Sequence, residues 1–345
     1  MKSLVEFISK CHPSKEVRAC VVEMITHRWV AIVVQLMLMV ISPAVGKQRI
    51  PRAQKVARLR ELLDAKNITQ MPCVYDGFTA RMVEDMGFDL TLMTGFGVSA
   101  TYGLPDAGLV SSAEMVRNAE IIVNSLDKIP CIGDGDTGFG NPANVKRTVI
   151  KYAQAGMSGI MIEDQVMPKR CGHTKGKEVV DREEAYRRIR AAVEARNEMG
   201  EDIVILARTD ARQTHSLDEA IERCNEFRRL GADWTFLEAP QSEEEMLRYC
   251  NEVDGPKMVN CLEFGKTPIL HRARLEEMGF SVAAYPLTLL SAGAKAMKES
   301  LHRLLRQHNE GSTETTEDLD LILSFEELCE RVGFQDYYQE LEKLE

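Results

Sequence analysis

Residues 203–238 read IVILARTDARQTHSLDEAIERCNEFRRLGADWTFLE, and one complete structural unit can be read from them. Residues 203–208 are an apolar, largely β-branched run that ends in Arg208, with Asp210 just beyond. Ser216-Leu-Asp-Glu219 has the spacing of a capping box, in which serine and glutamate satisfy each other's backbone amides at a helix start. An amphipathic stretch follows, then Gly231, where a helix would close on a left-handed residue. Residues 234–238 form a second apolar run that ends in Glu238. A strand, helix and strand of these lengths imply parallel pairing through a right-handed crossover.

Outward from this unit the pattern repeats. Apolar runs at 71–75, 90–94, 129–133 and 159–163 precede it, and runs at 257–261 and 282–285 follow, which makes eight expected strands. Helix starts are marked by Ser111-Ser-Ala-Glu114, Asp181-Arg-Glu-Glu184 and Ser242-Glu-Glu-Glu245. Asn141-Pro142 and Thr267-Pro268 each put an N-cap residue before a proline at the first helical position. Gly156 and Gly279 stand where helices should end. Eight such units predict a (β/α)8 TIM-type barrel over residues 51–308. A long helix from residue 288 to about 308, a polar linker at 310–316 and a helical tail to 344 follow, the tail placed to pack on a neighbouring subunit.

Composition narrows the function. The 345 residues, 44% hydrophobic and 28% charged, suit one soluble α/β barrel. A net charge of −10 argues against nucleic acid or an anionic membrane as partner, but not against a small carboxylate met by local cations. The nine cysteines include no CxxC pair and no companion histidine cluster, which argues against structural zinc. They read as free thiols in a reducing compartment, cytoplasmic or mitochondrial. Residues 1–50 read as an extension outside the barrel. Within it, 29–41 are nearly unbroken apolar sequence, shorter than the ~20 residues of a membrane span. Ser42-Pro43-Ala44 resembles a cleavage site, yet Glu6, Glu16 and Glu23 make a poor leader. A targeting segment, an extra packed helix and a misassigned start codon all fit.

In a barrel of this kind the chemistry belongs at the C-terminal ends of the strands. Those ends carry Asp76, Thr94-Gly95, Asp134, Asp136, Glu163-Asp164, Arg208, Glu238, Asn260 and Pro286. Asp134-Gly-Asp-Thr-Gly138 can turn two carboxylates onto one ion, and oxygen-only ligands with room for water suit Mg2+, or Mn2+. The same aspartates can instead bond backbone amides of the turn. Lys169-Arg-Cys-Gly-His173 sits in a loop closed by Lys175-Gly-Lys177, with hinge glycines at 172 and 176. Lys169, Arg170 and His173 should favour the Cys171 thiolate and can clamp carboxylates, and Cys171 can protonate a carbanion. Arg208 is placed for a carboxylate, or for an ion pair with Glu238 or Asp210. Cys171, His173, Arg208 and Glu238 are the candidate catalytic groups. His215 and His271 read as surface histidines, and Trp234 as core.

Several ordered motifs carry a resemblance. Asp134-Gly-Asp-Thr-Gly-Phe-Gly140, Glu163-Asp-Gln165, Lys169-Arg-Cys-Gly-His173, Ala207-Arg-Thr-Asp210, and Asn260 with Glu263-Phe-Gly265 resemble the isocitrate lyase/phosphoenolpyruvate mutase superfamily over residues 55–307. The resemblance implies a barrel whose last helix is exchanged between subunits of a homotetramer or dimer of dimers. It implies Asp136 as principal metal ligand, with Asp134, Glu163 and Asp106 nearby or acting through water. It makes Thr94, Gly95 and Phe96 a carboxylate-binding segment, with Lys169, Arg170, Gly172, Arg208, Asn260 and Pro286 as further contacts and Cys171 as the acid. The cysteine-bearing loop resembles the carbon–carbon lyases, with carboxyvinyl-carboxyphosphonate phosphorylmutase and oxaloacetate hydrolase as alternatives. Tyr285-Pro-Leu287 and the tail Asp336 to Glu342 are similar to 2-methylisocitrate lyases, whereas Thr94-Gly-Phe96 is closer to the 2,3-dimethylmalate lyase and petal-death type. Leu92 and Leu262 stand where many 2-methylisocitrate lyases have tyrosine and threonine.

Overall fold

The computed structural model describes residues 49–172, 176–310 and 322–344. Eight parallel strands close into a barrel in chain order: β1 (Thr69–Val74), β2 (Thr91–Met93), β3 (Cys131–Asp134), β4 (Gly159–Glu163), β5 (Val204–Thr209), β6 (Trp234–Leu237), β7 (Lys257–Asn260) and β8 (Val282–Tyr285). The last strand returns to the first, with Thr69 opposite Val282 and Pro72 opposite Tyr285. Their ends differ from the expected ones by two residues at most. The strands were legible because both faces are covered, so they read as continuous apolar runs.

One buried cluster fills the interior, with Met71, Leu92, Met161, Leu206, Trp234 and Phe236 among its members. It includes Val56, Leu59, Leu62 and Leu63 of α1 (Arg52–Asp64), a helix that precedes β1 and lies across the N-terminal end of the barrel. Those four residues share one helix face, and each such burial is worth ~1.5–3 kcal/mol over the exposed side chain. Around the barrel run α2 (Gly77–Asp85), α3 (Gly95–Thr101), α4 (Ser112–Asn124), α5 (Pro142–Gln154) and α6 (Arg182–Met199). They are followed by α7 (Ala211–Thr214), α8 (Leu217–Arg229), α9 (Glu243–Glu252), α10 (Arg272–Met278) and α11 (Thr288–Glu310). The chain ends in α12 (Phe325–Val332) and α13 (Phe334–Leu344).

Helix starts hold with two refinements. Ser111 and Glu114 form the complete capping box before α4, and Asn141 with Asn144 forms another before α5. Asp181, Ser216 and Ser242 cap their helices, but Glu184, Glu219 and Glu245 turn to arginines instead of back to the cap. An arginine partner offers a charge-assisted bond that the cap amide does not. Gly156, Gly231 and Gly279 adopt φ of 98°, 101° and 98°, as helix ends there require.

Three expectations are corrected. Thr267-Pro268 does not start a helix: α10 begins at Arg272, and His271 caps it by accepting the Ala273 amide at 3.3 Å. His271 is exposed but has this structural role. The described part of the tail is two helices, because Gly333, with φ of 91°, ends the first. Residues 29–41 and 311–316 lie outside the described residues. Among those described, no helix is long and apolar enough to cross a membrane, and each of the seven cysteines is a free thiol.

Candidate active site

The ends of β2, β3 and β4 gather carboxylates. Asp134 closes β3, and its Oδ1 accepts the Asp136 amide at 3.1 Å while Oδ2 accepts the Gly95 amide at the same distance. A methyl on Gly95 would stand 2.8 Å from Asp134 Oδ2, so the residue after β2 must be small. Tyr152 donates its hydroxyl to the Asp134 carbonyl at 2.7 Å from behind the strand. Asp136 turns into the left-handed region, φ 48°, which aims its side chain back over the barrel. Lys169 reaches across to this group, 2.6 Å from Asp136 Oδ1 and 2.5 Å from Asp106 Oδ1.

Beside this acidic group, β5 and β6 build a hub around Arg208. Its guanidinium meets Glu163 at 3.2 Å, Asp210 at 2.8 Å and Glu238 at 3.1 Å, and lies over the Phe236 ring, 5.2 Å from the centroid. Asn260, at the end of β7, donates to Glu238 Oε2 at 3.2 Å. Thus the ion pairs open to Arg208 in the sequence all form, and the residue still lines the cavity.

Residues 165–172 and Lys177 fold onto the hub. The Gln165 side chain bonds the Arg170 backbone in both directions, at 2.9 and 3.1 Å. Gly172 is seated so closely that a methyl on it would stand 2.5 Å from Arg208 Nη2 and 2.7 Å from Glu238 Oε2. A cavity of about 60 Å³ remains beneath, lined by Thr94, Phe96, Asp106, Asp134, Lys169, Arg170, Cys171, Gly172, Arg208, Glu238, Asn260 and Pro286. Glu163 and Asp136 lie just behind this lining, bound to Arg208 and Lys169. Gly95 sits beneath it on Asp134. His173 lies outside the described residues.

Residues 59–305 match the family described as phosphoenolpyruvate phosphomutase. The chain belongs to the isocitrate lyase/phosphoenolpyruvate mutase superfamily. It is 41% identical over 280 residues to 2,3-dimethylmalate lyase of Eubacterium barkeri, covering 81% of this chain and 94% of that one. It is 36% identical to 2-methylisocitrate lyase of Bacillus subtilis, covering 81% and 90%. Its structure superimposes on that of an oxaloacetate acetylhydrolase in complex with 3,3-difluorooxalacetate with TM-score 0.77 at 35% identity, covering 84% and 96%.

In this superfamily member the acidic group is electrostatically unsettled. Burial, with repulsion from Asp134 and Asp106, pushes the Asp136 carboxyl up to about 6 even with Lys169 beside it. Burial raises Glu163 well above the usual carboxylate range against the pull of Arg208, and its Oε1 has no hydrogen-bond partner. Burial alone would depress the Lys169 ammonium, but Asp136, Asp134, Asp106 and Glu163 hold it well above the usual lysine value. A group of hard oxygen donors with excess negative charge fits a divalent cation. Among the described residues no three acidic, histidine or cysteine side chains converge as a direct ligand set. An ion here would meet some of these carboxylates through water, as Mg2+ does when it retains part of its hydration shell.

Three supporting groups escaped sequence reasoning. Asp164 points away from the barrel axis and holds Thr209 Oγ1 at 2.6 Å, the Asp210 amide at 2.9 Å and Arg223 at 3.0 Å. Alternation along a strand would have separated it from Glu163, since neighbours face opposite sides. Leu262 and Leu287 give the cavity an apolar wall. Lys177 stood in the sequence only as the end of a basic loop, yet its side chain is 1% exposed.

Proposed function

We propose that this enzyme is a magnesium-assisted carbon–carbon lyase. It cleaves a 2-hydroxy di- or tricarboxylate, of the 2-methylisocitrate kind, to an α-keto acid such as pyruvate and a carboxylate such as succinate. One observation carries the reading: a thiol, three cationic side chains and, of the acidic group, Asp106 and Asp134 line one small cavity at the C-terminal end of the barrel. The names of the similar lyases support it.

Arg208 and Asn260, with the backbone amide of Phe96, would hold substrate carboxylates, while the Gly95 amide is taken by Asp134. Lys169 and Arg170 face the departing fragment. Mg2+, or Mn2+, held at Asp136 with Asp134, Glu163 and Asp106 in outer positions, would polarise the 2-hydroxy acid oxygens. When the hydroxyl passes its proton to a base in the cavity, its oxygen forms the keto group and the C2–C3 electron pair passes to the leaving fragment, whose charge is met by the surrounding cations. Cys171 then donates its proton to that carbon. Glu238 keeps Arg208 and Asn260 in register.

A second copy of the chain fits the outer face of α11, where Met297, Leu301, Leu304 and Leu305 are 57–63% exposed. A homotetramer or dimer of dimers with this helix exchanged would cover them, and light scattering after size exclusion tests it.

The deciding assay follows keto-acid release over a panel of 2-hydroxy di- and tricarboxylates, with and without Mg2+. Pyruvate from 2-methylisocitrate or 2,3-dimethylmalate supports the reading. Oxalate from oxaloacetate, or a phosphonate product from carboxyphosphonoenolpyruvate, with no C–C lyase activity across the panel, overturns it.

A further inference from the structure

Lys177 takes no part in the steps above, yet its ammonium is buried and lies 2.5 Å from both Asp210 Oδ1 and the Gly172 carbonyl. Gln213 Nε2 donates to the same carbonyl at 3.3 Å. Asp210 is fully buried and has two cationic partners. Its Oδ1 takes Lys177, and its two oxygens take Arg208 Nε at 2.8 Å and Nη2 at 3.1 Å. Asp210 is itself fixed from outside by Asp164, which Arg223 and Thr209 hold in turn. A run of buried charge therefore leads from the outer helices to a single carboxylate that touches both Arg208 and the residue supporting Gly172.

Stability does not explain this arrangement. A buried ion pair is often no more stable than well-packed apolar side chains of similar size, so its presence points to a geometric requirement. Here the requirement is visible. Gly172 is seated on Arg208 and Glu238 with no room for a side chain, and Cys171 is its neighbour at the cavity.

We propose that Lys177 and Asp210 are positioning residues that hold Gly172, by its carbonyl, against the Arg208–Glu238 pair, and with it the neighbouring Cys171. One carboxylate thereby sets both the carboxylate clamp and the segment that carries the thiol. The purpose of this placement rests on the active-site reading above, but the placement itself does not.

The test is the rate at which iodoacetamide alkylates Cys171 in the full-length protein, followed by the mass of its peptide. Rates are compared at the high-pH plateau, where a change in thiol ionisation no longer contributes. Lys177→Gln preserves most of the volume without the charge and should raise the Cys171 rate about ten-fold or more, the scale of one lost charge-assisted hydrogen bond. Gln213→Ala, at a partly exposed site, should raise it about two- to three-fold. The Lys177→Gln/Asp210→Asn double variant should be at least as fast as Lys177→Gln alone, because Asp210 also holds the Arg208 on which Gly172 is seated. Cys73, Cys131, Cys224 and Cys261 are buried and should keep their parent rates. Parent-like Cys171 rates in both single variants overturn the proposal, as does a rise shared by the buried cysteines, which would mean general loosening. Should Lys177→Gln fail to melt cooperatively, Gln213→Ala decides alone, and an unchanged rate there is sufficient to reject it. A parent enzyme that releases no keto acid would defeat the lyase reading and leave these rate differences standing.

Discussion

At the closed end of the barrel Arg60 lies between Asp202 and Asp233, at 2.7 and 2.8 Å, while Arg52 and Lys55 reach the Met157 and Leu126 carbonyls at 3.0 and 2.8 Å. At the open end Asp134, Asp136 and Glu163 are crowded together, with Lys169 and Arg208 shared among them. Both ends bury charge, but with opposite electrostatic results. Arg60 holds the Asp202 carboxyl below the usual range, so ionisation there favours the fold. Burial drives Asp136 and Glu163 the other way, so ionisation there opposes it. The closed end is arranged for stability, whereas the open end sets stability against the charge that the proposed chemistry needs. Substitutions at the two ends should therefore separate activity from stability.

The largest separation is expected at Asp136. Asp136→Ala should remove measurable turnover, a loss of more than about 10³-fold, and weaken Mg2+ binding by calorimetry. Its melting temperature should stay within a few degrees of the parent, because a buried carboxylate held against its preference is lost. Full activity after EDTA treatment would break this side of the comparison. Next is Cys171→Ser, which preserves shape but supplies a far weaker acid. Acid catalysis contributes ~10²–10⁴-fold, so kcat should drop by about that factor with KM little changed. A near-parent kcat would leave the loop as a carboxylate clamp only.

The closed end should respond in reverse. Leu59 is fully buried between α1 and the barrel interior, and Leu59→Ala should cost ~2–5 kcal/mol in denaturant unfolding. Its kcat should stay within about two-fold of the parent, and a catalytic collapse would show that the two ends are coupled. The smallest effect belongs to Arg60→Ala, which removes a partly exposed pair worth about 0.5–1 kcal/mol at neutral pH. Asp202 is depressed in the fold, so its contribution is complete above its unfolded value of about 3.9 and fades as pH falls below it. The melting gap between parent and variant should accordingly narrow from pH 7 towards pH 3. A gap that widened would place the effect elsewhere.

The sequence disclosed what depends on local pattern. Strands such as Gly159–Glu163 are uniformly buried and read as apolar runs, and residues at their ends point into the mouth by fold geometry alone. Asp134, Arg208 and Asn260 were found this way and Cys171 from the basic loop around it, and the structure brings all four to one cavity. What stayed hidden depends on distant partners. The Lys169 pair with Asp106 and the Lys177 pair with Asp210 each join loops from different parts of the chain, and no spacing rule announces them. Thr267-Pro268 misled for a related reason. A cap and a proline permit a helix start, but tertiary contacts chose His271 instead. The helix α1, with its face at Val56, Leu59, Leu62 and Leu63, was not read from the sequence, since the surface it covers is assembled from strands across the whole barrel.

That last feature has a bearing on biosynthesis. α1 is among the first described segments to leave the ribosome, yet it packs with Val204, Trp234 and Val282, which are made much later. β1 likewise waits for β8, since Thr69 pairs with Val282. The apolar side of α1 and the inner side of β1 must stay exposed while more than 200 residues are translated, at ~5–20 residues per second a wait of about 10–40 seconds. A nascent chain of this topology offers chaperones a long-lived apolar segment near its N-terminus. A circular permutant opened between β7 and β8 would remove that wait for β1, because β8 would then be made before it.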